Sequence, residues 1–124
     1  MIPKFRMWNR ITSKLHCVYG LYFDSKEVQY TDEVGILRFI KFENTILMQS
    51  TGLKDKNGKE IFEGDIAKMA KDVYSDPTYY EIVRHRGGAY RLESNQHGCE
   101  LWLRHTNCEV IGNVYENPEL LEDN

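Results

Sequence analysis

The sequence lacks any apolar run near the roughly 18 residues that a membrane-spanning helix needs. Its first residues, MIPKFR, lack the apolar stretch of a secretory signal peptide. Cysteine is scarce, because the chain holds three, Cys17, Cys99 and Cys108, an odd number too small for a secreted disulfide scaffold. These absences predict a protein of the cytoplasm that does not contact a membrane.

Familiar catalytic motifs are also absent. The sequence contains no G-x-S-x-G elbow, no phosphate-binding loop and no H-E-x-x-H pair. The carboxylates of Glu60, Glu63 and Asp65 lie close in sequence, but Asp65 follows a glycine where the chain is expected to bend. A nucleophilic Cys17 or Cys108 would need a histidine that only folding could bring near. We therefore predict a protein that is not an enzyme and has no cofactor.

Two histidines and two cysteines, His97, Cys99, His105 and Cys108, are the residue types that bind zinc. Zinc ribbons present paired ligands two to four residues apart, whereas Cys99 and His105 are six apart. If 99–105 formed one extended strand, these side chains would lie roughly 20 Å apart, at about 3.3 Å per residue. We therefore predict no metal site.

Composition predicts one folded domain, or a small barrel with an added layer. The 124 residues are 41% hydrophobic and 28% charged. The net charge of −3 is unevenly distributed, because positions 1–23 hold four basic residues and no acid, and positions 109–124 hold five acids and no base. Oppositely charged ends predict self-association or pairing within the fold, although solvated faces without a role are the simpler interpretation.

Alternation of apolar and polar residues with period two dominates the chain and predicts strands. Leu15, Cys17, Tyr19, Leu21 and Phe23 fall on one side of the first long segment. The other alternating residues include Val34, Ile36, Ile40, Ile46, Met48, Tyr80, Ile82, Arg84, Tyr90, Leu92, Leu101, Leu103, Val110 and Val114, with Trp8 and Trp102 expected to pack in such strands.

The strongest turn signal is Asn57-Gly58, a pair typical of a type I′ hairpin turn. Gly64-Asp65 predicts a bend before the next strand. Residues 66–73 are ambiguous: Ile66, Met69, Ala70 and Val73 have helical spacing, but the surrounding pattern favours a strand. A short helix remains the alternative.

Three motifs resemble the YopX family of bacteriophage and prophage proteins. Residues 51–66 read TGLKDKNGKEIFEGDI and resemble its central motif. Residues 4–9, KFRMWN, resemble its opening strand, and residues 108–121, CEVIGNVYENPELL, resemble its closing motif. The resemblance spans 4–121 in the same order, while 10–45 and 70–105 match little.

This resemblance implies an all-β fold, with a small SH3-like barrel in the C-terminal part and an N-terminal antiparallel strand layer. The expected division is 1–50 for the N-terminal β layer, 51–118 for the barrel and 119–124 for an acidic tail. It further implies a phage-encoded protein in the cytoplasm of a Gram-positive host. It implies no catalytic residues, because the family motif consists of turn residues and strand starts.

One basic cluster is a candidate binding site. It consists of Arg84, Arg86, Tyr90, Arg91 and Arg104. Arginines beside an aromatic side chain suit single-stranded nucleic acid, which they attract by charge and stacking. The acidic pI of about 5.8 argues against this use. We predict instead a binding or regulatory module for an unidentified phage or host protein, with nucleic-acid binding as the alternative and self-association as a further expectation.

Overall fold

A computed structural model describes residues 4–70 and 72–122. The strands in this part are β1 (Phe5–Asn9), β2 (Lys14–Tyr22), β3 (Glu27–Thr31), β4 (Leu37–Lys41), β5 (Thr45–Lys54), β6 (Glu60–Phe62), β7 (Asp65–Met69), β8 (Thr78–Arg84), β9 (Tyr90–Glu93), β10 (Gly98–Glu100) and β11 (Glu109–Asn113). One short helix, α1, spans Leu101–Arg104. Short 3-10 turns occupy Phe42–Asn44, His105–Asn107 and Pro118–Leu121.

The strands form two antiparallel sheets. The six-stranded sheet has the order β4-β3-β2-β1-β5-β6, and the five-stranded sheet has the order β10-β9-β8-β7-β11. The all-β fold that the resemblance implies is confirmed in the coarser form of a mostly β chain, because one short helix is present. Strand pairing closes no barrel within 4–70 and 72–122, because β10 and β11 are the two ends of the five-stranded sheet.

The chain divides into two compact units, one from Met1 to Gln49 and one from Ser50 to Asn124. The first unit has a core of Met7, Val28, Tyr30 and Ile40, all less than 10% exposed. The second has a larger core built around Ile61, Ala67, Tyr80, Ile82, Leu92, Leu101, Cys108 and Val110.

Strand β2 departs from strict alternation. Its register with β3 shifts between Val18 and Gly20, which is the signature of a β-bulge. Because the extra residue reverses the alternation, Val18 and Leu21 both pack against the core of the first unit. Cys17 and Tyr19 are exposed. The prediction that Cys17, Tyr19 and Leu21 share one side was therefore wrong.

The loop between β3 and β4 is built on Asp32. Its Oδ1 atom accepts hydrogen bonds from the backbone N–H groups of Val34 (3.0 Å) and Ile36 (2.9 Å). Gly35 completes the turn with φ +88°. Val34 and Ile36 therefore belong to a turn, and the predicted strand begins only at Leu37. Local hydrogen bonding by the aspartate outweighs the β preference of the two branched residues.

The central hairpin repeats this geometry with Asp55. Its Oδ1 accepts from the N–H groups of Asn57 and Lys59, each at 2.9 Å, and its carbonyl accepts from Gly58 at 3.0 Å. Gly58 has φ +81°, whereas Asn57 is not among the residues with positive φ. The prediction of a hairpin is confirmed, but a type I′ turn was wrong, because that turn needs positive φ at both positions. The loop is a type I turn followed by a left-handed glycine.

We expect Gly58→Val to destabilise the second unit by about 1–2 kcal/mol, because a β-branched residue strains the left-handed backbone. A Cβ at Gly58 would have no heavy atom within 4 Å, so a steric clash does not contribute. Guanidinium denaturation followed by circular dichroism measures the change. Gly58→Asn is the matched control, because asparagine tolerates this conformation, and it should cost less. Equal losses in the two variants would contradict backbone strain as the cause.

The segment 66–73 begins as strand β7, which ends at Met69. The prediction of a strand is thus confirmed over 66–69. The predicted strand through Leu101 and Leu103 was wrong, because residues 101–104 form helix α1. Only Leu101 of that helix is buried, and Trp102 is 64% exposed rather than packed. A run of three apolar residues, Leu101 to Leu103, carries too little periodicity to separate helix from strand.

Turns formed by the central and closing motifs hold strands of the second unit together. Gly64, with φ +87°, donates its N–H to the Ile82 carbonyl and accepts from the Val114 N–H, both at 2.9 Å. Beyond β11, the buried Asn113 side chain accepts from the N–H groups of Tyr115 (3.0 Å) and Glu116 (2.9 Å). Asn117 Oδ1 accepts from the Asn113 N–H at 3.2 Å.

Candidate functional site

An open groove of about 890 Å³ lies in the second unit. Its apolar lining includes Met69 of β7, Tyr80 of β8 and Cys99 of β10, which belong to or pack against the core of that unit. Its polar lining comes from Lys56, Asp72, Ser75, Asp76, Thr78, His97, Arg104, Thr106 and Asn107. An apolar lining with polar groups around it is typical of a binding site.

Two oppositely charged side chains of the groove, Arg104 and Asp76, form no ion pair in the described part of the chain. Lys56, in contrast, lies 3.9 Å from Glu109. The Asp72 carboxylate accepts from the Tyr74 N–H (2.9 Å) and the Ser75 hydroxyl (3.0 Å), and these hydrogen bonds lower its pKa below the usual value. Arg104 and Asp76 are therefore available to a ligand.

The thiols of the second unit are not activated. Burial raises the pKa of Cys99, and the nearby Arg104 and Arg91 offset this only in part. Burial also raises the pKa of Cys108 to about 11. The thiolate is the nucleophilic form, so at neutral pH both thiols are poor nucleophiles.

No group of three or more metal-binding side chains converges within 4–70 and 72–122. His97 and Cys99 line the groove, whereas the His105 ring is 2.7 Å from the Lys54 carbonyl and Cys108 is buried. The extended strand assumed for 99–105 does not exist, because α1 and the following 3-10 turn replace it. The separation derived from that strand therefore does not apply.

The carboxylates beside the hairpin each have a structural partner. Glu60 accepts from the Ser50 hydroxyl at 2.5 Å. Asp65 is 1% exposed and accepts from the Phe62 N–H at 2.8 Å. Glu63 lies 3.9 Å from Arg84. Each of the three carboxylates therefore stabilises contacts between residues in or next to strands β5 to β8.

The predicted basic cluster is distributed over different parts of the second unit. Arg84 and Tyr90 pair across β8 and β9, and Tyr90 packs against the core of that unit, where burial raises its pKa. Arg91 points to the opposite face of the sheet, because it is the next residue along β9. Arg86 lies exposed in the hairpin loop, and Arg104 lines the groove.

The Arg91 guanidinium is already paired with two carboxylates. It bonds Glu93 Oε1 at 2.7 Å and also bonds Glu100 Oε1. The structure therefore brings Arg84 near Tyr90 but does not gather the five predicted residues into one surface. Reasoning from the sequence found Arg104 but missed Met69, which lay in the ambiguous segment, and Tyr80, whose alternation indicated only a strand.

A second exposed surface lies on the first unit. We define the edge surface as Tyr22, Leu37 and Phe39, whose exposed fractions are 46%, 48% and 55%. The Tyr22 and Phe39 rings are in contact, with centroids 5.7 Å apart. Strand β4, which carries Leu37 and Phe39, is a terminal strand of the six-stranded sheet.

Among the described residues, no helix is long and apolar enough to span a membrane.

These features define a mostly β protein of two antiparallel sheets, in which the motif residues form turns and an open groove lies in the second unit. Residues 4–122 match the family described as YopX protein, and the chain belongs to that family. The resemblance noted from the three motifs is thereby confirmed.

Individual relatives support the assignment. The SPbeta prophage-derived uncharacterized protein YopX of Bacillus subtilis (strain 168) is 24% identical over 125 residues, which cover 81% of this chain and 92% of that protein. The crystal structure of protein EF1440 from Enterococcus faecalis has a TM-score of 0.65 at 33% identity, covering 98% of this chain and 99% of that one. The crystal structure of protein yopX from Bacillus subtilis has a TM-score of 0.67 at 22% identity, covering 96% and 98%.

Proposed function

We propose that this chain is a non-enzymatic binding module of phage origin, which holds a peptide segment of a phage or host protein in the groove of its second unit. The groove itself carries the proposal, because it combines an apolar lining with the charges of Arg104 and Asp76, which form no ion pair among the described residues. The weakly nucleophilic thiols and the absence of a convergent metal-binding group in the described residues favour binding over catalysis.

A peptide suits this groove better than a small polar metabolite. Met69, Tyr80 and Cys99 offer apolar contact to a side chain. Arg104 suits a carboxylate of the ligand through charge-assisted hydrogen bonds, and Asp76 suits a donor. Strand β10 is one of the two ends of the five-stranded sheet among the described residues, and it contributes Gly98 and Cys99 to the same groove. An extended segment could therefore also pair with its backbone.

Selection from a displayed random-peptide library on the immobilised protein tests this proposal. We expect enriched peptides to combine an apolar side chain with an acidic one. Arg104→Glu should weaken binding of the enriched peptides about tenfold or more, because an attraction becomes a repulsion. Fluorescence anisotropy with a labelled peptide measures the affinity.

Arg86→Glu is the matched control, because it makes the same charge change at an exposed position outside the groove. It should leave the affinity within about twofold, as expected for an uninvolved surface charge. Failure to enrich any peptide, or equal losses in the two variants, would overturn the proposal. The melting temperature of each variant shows whether folding is intact.

Nucleic-acid binding has less support. Arg91 is occupied by Glu93 and Glu100, and Arg84 lies near Glu63. A single-stranded DNA probe that shifts at low ionic strength and is released by salt would favour this alternative over the peptide.

The prophage origin of the relative from Bacillus subtilis supports the proposal of phage origin. Action in the cytoplasm of a bacterial host is a further part of the same proposal. An SH3-like arrangement of 51–118 belongs to the same proposal, and the antiparallel pairing of β7, β8 and β9 is consistent with it.

A further inference from the structure

Strand β4 has one unpaired edge. It pairs with β3 over Leu37–Lys41, and no strand lies on its other side among the described residues. Such an edge presents unpaired N–H and C=O groups that can join another strand. The strand contains no proline, and each of its two charges lies near an acid, Arg38 at 2.6 Å from Asp32 and Lys41 at 4.0 Å from Glu27. Two of the usual protections against edge pairing are therefore absent or weakened.

Backbone hydrogen bonds at both ends of the β3–β4 pair show which residues of β4 face outward. The Asp32 N–H donates to the Ile36 carbonyl at 3.0 Å, and the Phe42 N–H donates to the Lys26 carbonyl at 2.8 Å. Hydrogen-bonded pairs alternate with non-hydrogen-bonded pairs in an antiparallel ladder. In the same register, Arg38 and Ile40 therefore direct their backbone groups to β3. Leu37, Phe39 and Lys41 direct theirs to the open edge.

We propose that two copies of this chain join through this edge, with β4 pairing antiparallel to β4 of a second copy and the two Phe39 residues directly opposite each other across the two-fold axis. A two-fold axis perpendicular to the sheet keeps the same face of both sheets together only in a register where one residue lies directly opposite its own copy, with the axis midway between them. Centring on Phe39 brings all three outward-facing residues into register. Phe39 then pairs with Phe39, and Leu37 pairs with Lys41, giving up to about six backbone hydrogen bonds.

Side chains are compatible with this register. Across the axis, Arg38 lies opposite Ile40 and Leu37 lies opposite Lys41, so no like charges are directly opposed. Phe39 meets its own copy on the face that also carries Tyr22, where exposed aromatic area would be buried. A self-complementary surface of this kind is what a two-fold interface requires. The edge surface is independent of the groove, so this inference does not rest on the proposed function.

A matched pair of substitutions at Leu37 tests the register. Leu37→Glu and Leu37→Lys remove the same apolar side chain but introduce opposite charges across from Lys41. The dissociation constant of the dimer should therefore be about tenfold higher for Leu37→Lys than for Leu37→Glu. The pair of residue 37 with Lys41 occurs twice per dimer, so its repulsion or attraction counts twice. Sedimentation equilibrium over a micromolar concentration series measures the dissociation constants.

Phe39→Pro tests the backbone pairing. It removes an N–H that faces outward, so the bonds between β3 and β4 should be kept while the dimer is lost. Phe39→Thr keeps that N–H and should weaken the dimer without abolishing it. Circular dichroism melts check that both variants fold. A wild-type chain that stays monomeric throughout the series would overturn the proposal, as would equal dissociation constants for the two Leu37 variants.

Discussion

Replacing Asp55 by alanine should destabilise the second unit by about 3 kcal/mol, because it removes a buried carboxylate that accepts three backbone hydrogen bonds. Asp55 is 5% exposed and accepts three backbone hydrogen bonds. Two are within the hairpin loop, and the third joins Oδ2 to the Val110 N–H at 2.9 Å, across 55 residues of sequence. Alanine would leave the buried N–H of Val110 without its acceptor. Guanidinium denaturation measures the loss.

Two further variants separate the contributions of Asp55. Asp55→Asn retains one oxygen for the loop but turns an amide donor toward the Val110 N–H, so it should lose less stability than alanine does. Asp32→Ala removes the same loop hydrogen bonds in the first unit, but the second oxygen of Asp32 bonds the exposed Arg38 instead of a buried N–H. Asp32→Ala should therefore lower the free energy of unfolding by less than Asp55→Ala does. A cost equal to that of Asp55→Ala would contradict the special role of the Val110 contact.

The Asp55 contribution should also depend on pH. Burial by itself would raise the pKa of this carboxyl, but hydrogen bonds from the Val110, Lys59 and Asn57 N–H groups outweigh burial and lower it from 3.8. A lowered pKa in the folded state stabilises the fold fully above the unfolded value and progressively less as pH falls through the folded value. The stability difference between wild type and Asp55→Asn should therefore be constant near neutral pH and shrink below about pH 4.

Gly112→Ala should cost about 2–3 kcal/mol, because the new methyl group has no room. A Cβ at position 112 would lie 2.8 Å from Asn117 Cγ and closer still to its Oδ1 atom. Asn117 would have to move, and its hydrogen bond to the Asn113 N–H would be lost with it. Chemical denaturation of the single variant gives the cost.

A double-mutant cycle identifies the source of that cost. In an Asn117→Ala background the main obstacle is gone, so Gly112→Ala should cost at least about 1 kcal/mol less than in the wild type. Additive losses would show that the backbone at Gly112, and not the contact with Asn117, limits the position.

The turns were the most predictable part of this fold. An aspartate followed three residues later by glycine forms the same loop at Asp32 and Asp55, because the carboxylate bonds the turn N–H groups while glycine accepts the left-handed conformation. This pattern spans only four residues, so it can be recognised directly in the sequence. The exact turn type was mispredicted because Asn-Gly alone does not report that the aspartate two residues earlier caps the loop.

Other features depend on contacts that sequence patterns do not reveal. The bulge in β2 shifts the register by one residue, and only the pairing with β3 shows it. Helix α1 was not predicted, because its apolar run is too short to show a helical or a strand periodicity. The groove draws together Lys56, Met69, Tyr80, Cys99 and Arg104 from separate elements, so no local motif could indicate it.

The unequal burial of the three cysteines has a practical consequence. Cys108 is fully buried and Cys99 is half-buried, whereas Cys17 is exposed on β2. A maleimide dye applied to the native chain under mild conditions would thus be directed to Cys17, on the same face of the sheet as Phe39. The wild-type sequence provides its own attachment point for a spectroscopic probe, with no engineered cysteine.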